Sequence, residues 1–401
     1  MSAAAPARAF VVVVDACGVG ALPDAADYGD EETNTLAHVA EAVGGLQLPA
    51  LEGLGLGSIL PLRGVSPAAR PAIHGRLHPL GPGKDSATGH WELMGAVLEH
   101  PLPTYPHGFP ADVLERVRAA SGHELICNRP YNGIAAIEQF GGEALRTGAL
   151  IAYTSQDSVL QLAAHVERVP APELYRACAA ARTVMSGEHA VGRVIARPFE
   201  GAPGAFARTA GRRDFALAPP RRTYLQELGD AGVAVHAVGK VDDLFAGAGV
   251  AYRHAGATNA EALANVELLL ATLDDGLVFV NLIETDQTYG HRKDVEGFAA
   301  ALRELDEHVS RWLAALRERD LLIVTADHGV DPTHPGSDHT REYAPLLATT
   351  GAMQRTGATG QAGARHDGPL ADVGASALRW LAGRDARQLP GEPFVGERLV
   401  S

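Results

Sequence analysis

Three separated segments of this chain end an apolar run on an acidic or imidazole side chain, and a fourth, the loop that follows the third, carries more of both. The first is Val11-Val12-Val13-Val14-Asp15. The second runs Val278-Phe279-Val280-Asn281-Leu282-Ile283-Glu284-Thr285-Asp286 and continues to Gly290-His291. The third is Leu322-Ile323-Val324-Thr325-Ala326-Asp327-His328-Gly329. The fourth is the loop 331–342, which carries Asp331, His334, Asp338, His339 and Glu342. Carboxylate and imidazole ligands together suit Mn2+, Zn2+ or Fe2+, whereas Mg2+ favours oxygen and water. A lone Asp after a strand is more often a turn former or helix cap, and a lone His is usually a hydrogen-bonded neighbour. Four such segments in one chain point instead to a metal centre. No Cys belongs to the pattern, so a closed structural zinc site is not indicated.

A second chemical signal is Gly81-Pro82-Gly83-Lys84-Asp85-Ser86-Ala87-Thr88-Gly89-His90-Trp91-Glu92-Leu93-Met94. A Gly/Pro-rich loop here delivers hydroxyl groups to the start of a helix, where unpaired N–H groups and the helix dipole favour a phosphate. A serine beside a metal has its alkoxide stabilised and can attack phosphorus near neutral pH. Ser86 alone would more often be a helix cap; beside the metal pattern, the nucleophile is favoured.

Positioning these residues requires strands whose ends converge. Short apolar runs bounded by Gly, Asp or Asn occur at 10–14, 150–153, 233–238, 277–282 and 321–325, with helical periodicity at 260–273 and 295–316. In the last of these, Phe298, Leu302, Leu305, Val309, Trp312 and Leu313 share one face. Alternating strands and helices predict an α/β, doubly wound sheet, which gathers ligands at the carboxyl ends of its strands. The stretch between the Pro clusters near Pro103 and Pro219 reads as an insertion. The expected division is a core of residues 1–101 and 220–401, interrupted by a domain at 102–219.

At 401 residues the chain is long enough for two domains. Its formal net charge of −14 argues against a general nucleic-acid or anionic-membrane binder, yet leaves room for an anionic small molecule at a metal-lined pocket. Cys17, Cys127 and Cys178 are widely spaced, and neither a disulfide framework nor a thiolate site is expected. Cys17 reads as a small buried residue rather than a reactive thiol. No run approaches the ~20 apolar residues of a membrane span, and a soluble cytoplasmic protein is expected.

The motifs resemble the alkaline phosphatase superfamily and, within it, the phosphopentomutase family. The resemblance covers nearly the whole chain. It is most specific at Asp15-Ala16-Cys17-Gly18-Val19-Gly20, at the 83–95 loop and helix, at Tyr153-Thr154-Ser155-Gln156-Asp157, at Val191-Gly192-Arg193, and from Thr325-Ala326-Asp327-His328-Gly329 to Asp338-His339-Thr340-Arg341-Glu342-Tyr343. It implies an alkaline-phosphatase-like core with an inserted α+β cap. It also implies two Mn2+ ions, for which other divalent metals could substitute, one on Asp15, Asp327 and His328 and the other on Asp286, His291 and His339. The phosphorylated hydroxyl falls on Ser86, where the family has Thr, with Thr88 as the fallback. Within the cap, Ser155 and Asp157 would meet ribose hydroxyls, and Arg193 and Arg208 the distal phosphate, since a guanidinium fork suits phosphate.

The implied reaction interconverts (deoxy)ribose 1-phosphate and 5-phosphate through a phosphoenzyme, with a sugar bisphosphate as activator. A pentose phosphate is then the expected partner, and a monomer the expected state. Glu284, where the family pattern has Asp, and Asn34, at a usually acidic position, are departures that remove no implied ligand. The competing readings are a related metal-dependent phosphatase or cofactor-independent phosphoglycerate mutase, and a non-catalytic protein that binds metal and sugar phosphate.

Overall fold

The computed structural model describes residues 6–155, 158–356 and 364–396. The chain divides into two compact units, one made of residues 1–100 with 219–401, the other of 101–218.

The discontinuous unit is built on an eight-stranded sheet. Its centre is β1 (Arg8–Val14), every residue of which is buried. A run of four valines flanked by Phe10 suits a strand covered on both faces. The other strands are β2 (Ile73–His78), β9 (Val235–Val238), β10 (Tyr252–His254), β11 (Gly276–Leu282), β12 (Asp320–Thr325), β13 (Ala344–Thr350) and β14 (Gly368–Pro369). Their order is β10-β9-β11-β1-β12-β13-β2-β14. The first five in that order run parallel, as a doubly wound sheet should. β13 is antiparallel to both β12 and β2, because the chain returns from β12 through the loop 326–343 without a crossover helix.

The helix Val295–Ala315 presents the predicted face, with Phe298, Leu302, Leu305, Val309 and Trp312 buried. The ends of the sheet are pinned by charge as well as packing. Arg8 is buried and donates through Nε and Nη2 to Asp320 at 2.8 and 2.5 Å.

The register fixes the site. Val14 pairs with Leu282 and Val13 with Thr325, so Asp15 and the residues after Leu282 and Thr325 leave the sheet at the same edge. The Asp15 amide still reaches Leu282 O at 3.2 Å.

The contiguous unit holds six strands: β3 (Leu125–Pro130), β4 (Leu150–Thr154), β5 (Val159–His165), β6 (Arg193–Glu200), β7 (Ala207–Arg208) and β8 (Arg213–Ala216). The order is β3-β4-β5-β6-β7, with β8 also on β6. Helices Ala111–Ser121 and Ala171–Val184 share a core with this sheet through Val113, Val117, Leu174 and Cys178. Ile137 of helix Gly133–Thr147 belongs to a separate cluster with Ile151, Tyr153 and Phe199. All three cysteines are free. Burial pushes the Cys178 thiol up to about 12. Burial, reinforced by the Glu342 and Asp327 charges, also pushes up the buried Cys17 thiol, which suits the core role. No helix among the described residues is long and apolar enough to cross a membrane.

Candidate metal centre and nucleophile

At the carboxyl edge of the core sheet, carboxylates and imidazoles crowd together. Asp15 follows β1, and His328 Nε2 lies 3.3 Å from its Oδ1 and 3.4 Å from Asp327 Oδ2. Beyond β11, the chain makes a π-helical turn at Thr285–Gly290, closed by the bond from His291 N to Asp286 O at 3.1 Å. Such turns are frequent at functional sites. This one sets His291 Nε2 3.3 Å from Asp286 Oδ1. The loop after β12 brings His339 Nε2 to 3.5 Å from the same oxygen. Ligand atoms of Asp15, Asp327 and His328, and separately of Asp286, His328 and His339, all lie within 4.8 Å of one another. Five of the six side chains singled out in the sequence thus fall in these two sets, with His328 common to both, and His291 joins them through its contact with Asp286 rather than as a member of the second set.

The donor chemistry fits a divalent cation. Asp286 Oδ1 and Asp327 Oδ2 are buried and accept no well-aligned hydrogen bond among the described residues, with only imidazole nitrogens standing 3.0 to 3.5 Å away. Orphaned buried carboxylate oxygens are costly. Burial, then the Asp15 charge, raises the pKa of Asp286 against the pull of His339, His328 and His291. Burial disfavours a charged His328, yet Asp327, Asp15 and Asp286 together hold its pKa well above the usual imidazole range. Burial likewise opposes a charged Asp15, but the hydrogen bond and charge of His328, with help from His90 and Asn281, hold it well below the usual carboxylate range. A bound cation would satisfy all of these lone pairs at once.

The nucleophile candidate arrives on the helix Ser86–Leu93. Its cap is Asp85, whose Oδ1 accepts from the Ala87 and Thr88 amides at 3.0 and 3.2 Å. The capping alternative for Ser86 is thereby corrected: the short carboxylate one residue earlier does that work. Ser86 occupies the first helical position, and its hydroxyl donates to Asp15 Oδ1 at 3.1 Å, 3.2 Å from His328 Nε2. The Thr88 hydroxyl is buried and donates to Asp85 Oδ2 at 2.9 Å, which engages the fallback nucleophile in the cap. Gly89 lets the helix come this close, since a Cβ there would lie 2.5 Å from Asp327 O.

Two further residues brace the cluster. Asn281 Nδ2 donates to Asp15 Oδ2 at 2.7 Å. His90 Nδ1 lies 3.0 Å from Asp327 Oδ2 and 2.8 Å from Ser86 O. Neither was assigned a role from sequence. Asn281 had a visible signal, a lone amide inside the apolar run of β11.

Residues 7–383 match the family model described as Metalloenzyme superfamily. The phosphopentomutase of Caldanaerobacter subterraneus subsp. tengcongensis is 48% identical over 349 residues, 86% of this chain and 88% of the relative. That of Carboxydothermus hydrogenoformans is 49% identical over 341 residues, 85% and 88% of the two chains. That of an Anaeromyxobacter species is 46% identical over 393 residues, 97% and 98%. The chain belongs to the phosphopentomutase family.

Of the residues that phosphopentomutase resemblance implied for the cap, Arg193 opens β6 and stands exposed, its Nη1 3.8 Å from Asp214 Oδ2. Arg208, in β7, lies beside the start of helix Gly133–Thr147, where a Cβ on Gly133 would fall 2.6 Å from Tyr153 Oη and closer still to Arg208 Nη2. Ser155 follows β4, and Asp157 lies outside the described residues. Of the two departures from the phosphopentomutase pattern, Glu284 takes a structural role, its Oε2 accepting from the Asn259 backbone amide at 2.7 Å. Asn34 contributes its backbone N–H to Asp331 Oδ2 at 3.1 Å, while its side-chain Oδ1 is buried without a hydrogen bond among the described residues.

Proposed function

We propose that this enzyme interconverts ribose 1-phosphate, or its 2-deoxy counterpart, with the corresponding 5-phosphate by way of phosphorylated Ser86. The observation that carries the reading is the position of Ser86 Oγ, 3.1 Å from Asp15 and 3.2 Å from His328, at the cluster with orphaned carboxylate oxygens.

Asp15, Asp327 and His328 would hold one divalent ion, and Asp286, His291 and His339 a second, with Mn2+ favoured by the mixed donors. When bound, such ions supply positive charge for phosphoryl oxygens and for the serine alkoxide. Asp15 orients the Ser86 hydroxyl. The helix that begins at Ser86 adds its N-terminal partial charge for a phosphoryl group on Oγ.

In the forward half-cycle the P–O bond to Ser86 breaks as a sugar hydroxyl takes the phosphoryl group, giving a 1,5-bisphosphate. In the return half-cycle the other phosphate of that bisphosphate passes back to Ser86 and the isomer leaves. A sugar bisphosphate supplies the first phosphoryl group. We assign to residues 102–219 the work of a cap that keeps water from phospho-Ser86, with Ser155 and Asp157 on ribose hydroxyls and Arg193 and Arg208 on the distal phosphate.

The test is turnover of ribose 1-phosphate with Mn2+ and a bisphosphate primer, alongside 3-phosphoglycerate. Pentose turnover that disappears in Ser86→Ala, with phosphate mapped to Ser86, is the expected result. Phosphate on Thr88, or faster reaction of 3-phosphoglycerate, refutes it.

A further inference from the structure

The turn that delivers Ser86 is gripped from outside by one buried cation. Arg341 is 5% exposed. Its Nη1 donates to Gly81 O at 3.0 Å and to Gly83 O at 2.8 Å. Its other edge is anchored on Asp24, with Nη2 2.9 Å from Oδ2 and Nε 3.2 Å from both carboxylate oxygens. The guanidinium also lies over the Tyr28 ring, 5.1 Å from its centroid, while Tyr28 Oη donates to Pro82 O at 3.0 Å.

The surroundings leave the turn little freedom. Asp30 Oδ2 accepts both the Arg341 amide, at 2.9 Å, and Lys84 Nζ, at 3.0 Å. From the helix side, Glu92 accepts the Leu80 and Gly81 amides at 2.6 and 3.0 Å. Carbonyls held on one side and amides on the other fix the 80–85 backbone in both position and tilt. Arg341 is two residues beyond His339, so the same residue ties the loop bearing an imidazole of the metal centre to the loop bearing the nucleophile.

We propose that Arg341 is a positioning residue for phosphoryl transfer, setting where Ser86 Oγ stands relative to Asp15 and His328. This rests on the phosphomutase reading above. A planar fork is required: a lysine ammonium concentrates its three donors at one atom and cannot serve Asp24 and two carbonyls on opposite edges. Displacement of a reacting atom by about 1 Å costs on the order of 100-fold in rate.

The experiment compares the metal-loaded full chain with Arg341→Lys and Asp24→Asn, the second keeping the guanidinium but loosening its anchor. Expected in Arg341→Lys are a kcat lower by about 10- to 100-fold, KM and Mn2+ affinity within about two-fold of the parent, and faster hydrogen exchange at amides 80–86; Asp24→Asn should shift the same quantities less. A folded Arg341→Lys with unchanged kcat and unchanged exchange at 80–86 overturns the proposal, and so does a kcat that falls only in proportion to the unfolded fraction. The exchange measurement stands apart from activity, and a parent protein that fails to turn over pentose phosphate would sink the functional reading instead.

Discussion

Glu342 sits at the heart of the loops around Asp15, and its carboxylate has no cationic partner among the described residues. One oxygen accepts the Thr35 and Thr340 hydroxyls, both at 2.7 Å. The other accepts the Thr35 and Gly20 amides at 2.9 and 3.1 Å. Burial outweighs these bonds and raises its pKa.

Removing the acceptor altogether, as in Glu342→Ala, strands two amides that cannot turn away. At about 1–3 kcal/mol for each orphaned donor, the loss is about 2–6 kcal/mol. Glu342→Gln behaves differently. Its carbonyl can face the two amides while its NH2 donates to two hydroxyls that rotate to accept, so the cost should stay below about 1.5 kcal/mol.

The pH arm follows from the raised pKa. Above about pH 4.5 the unfolded glutamate gives up its proton, while the folded one keeps it until the pH passes its higher pKa. The folded state therefore binds more protons in that window, and stability falls as pH rises through it. Urea melts of the three proteins from pH 4 to 8 test this. The difference between parent and Glu342→Gln should shrink in the parent's disfavour as pH rises, then level off. A Gln variant as unstable as the Ala variant, or a difference that ignores pH, refutes the reasoning.

Other outcomes are equally specific. His90→Ala removes the brace on Asp327 and should weaken Mn2+ binding about 10- to 100-fold in a direct titration; unchanged affinity would make His90 a packing residue. Chelation should lower Tm, and restoring divalent metal at about 100 times its Kd should regain about 2.7 kcal/mol. An unchanged Tm would contradict the metal centre. Arg8→Met leaves Asp320 buried without its guanidinium and should cost about 3–5 kcal/mol in a denaturant melt, while kcat of the remaining folded protein stays near the parent value.

Much of the core was legible because strand ends carry the chemistry. The runs ending at Asp15 and before Asp286 and Asp327 became β1, β11 and β12, and parallel register did the rest. β13 was not anticipated. Ala344–Thr350 begins Ala-Pro and is rich in Ala and Thr, a weak strand signal, and its antiparallel sense depends on the loop that precedes it. The cap of the 86–93 helix was not assigned, since Asp85 and Ser86 are both good caps and only the amide directions, both toward Asp85 Oδ1, choose between them. Arg341 was quoted within a motif but its role was invisible, because Gly81 lies 260 positions away and backbone carbonyls leave no trace in composition.

The insertion has a bearing on how the chain is made. Arg8 and Asp320 are 312 positions apart, so β1 emerges from the ribosome long before either neighbour exists. Residues 101–218, by contrast, contain every strand of their own sheet and can close it during synthesis, as contiguous domains generally do. The four valines of β1 must meanwhile be kept from other strand edges, which makes the nascent amino-terminal third the stretch where slow translation or heat should favour aggregation.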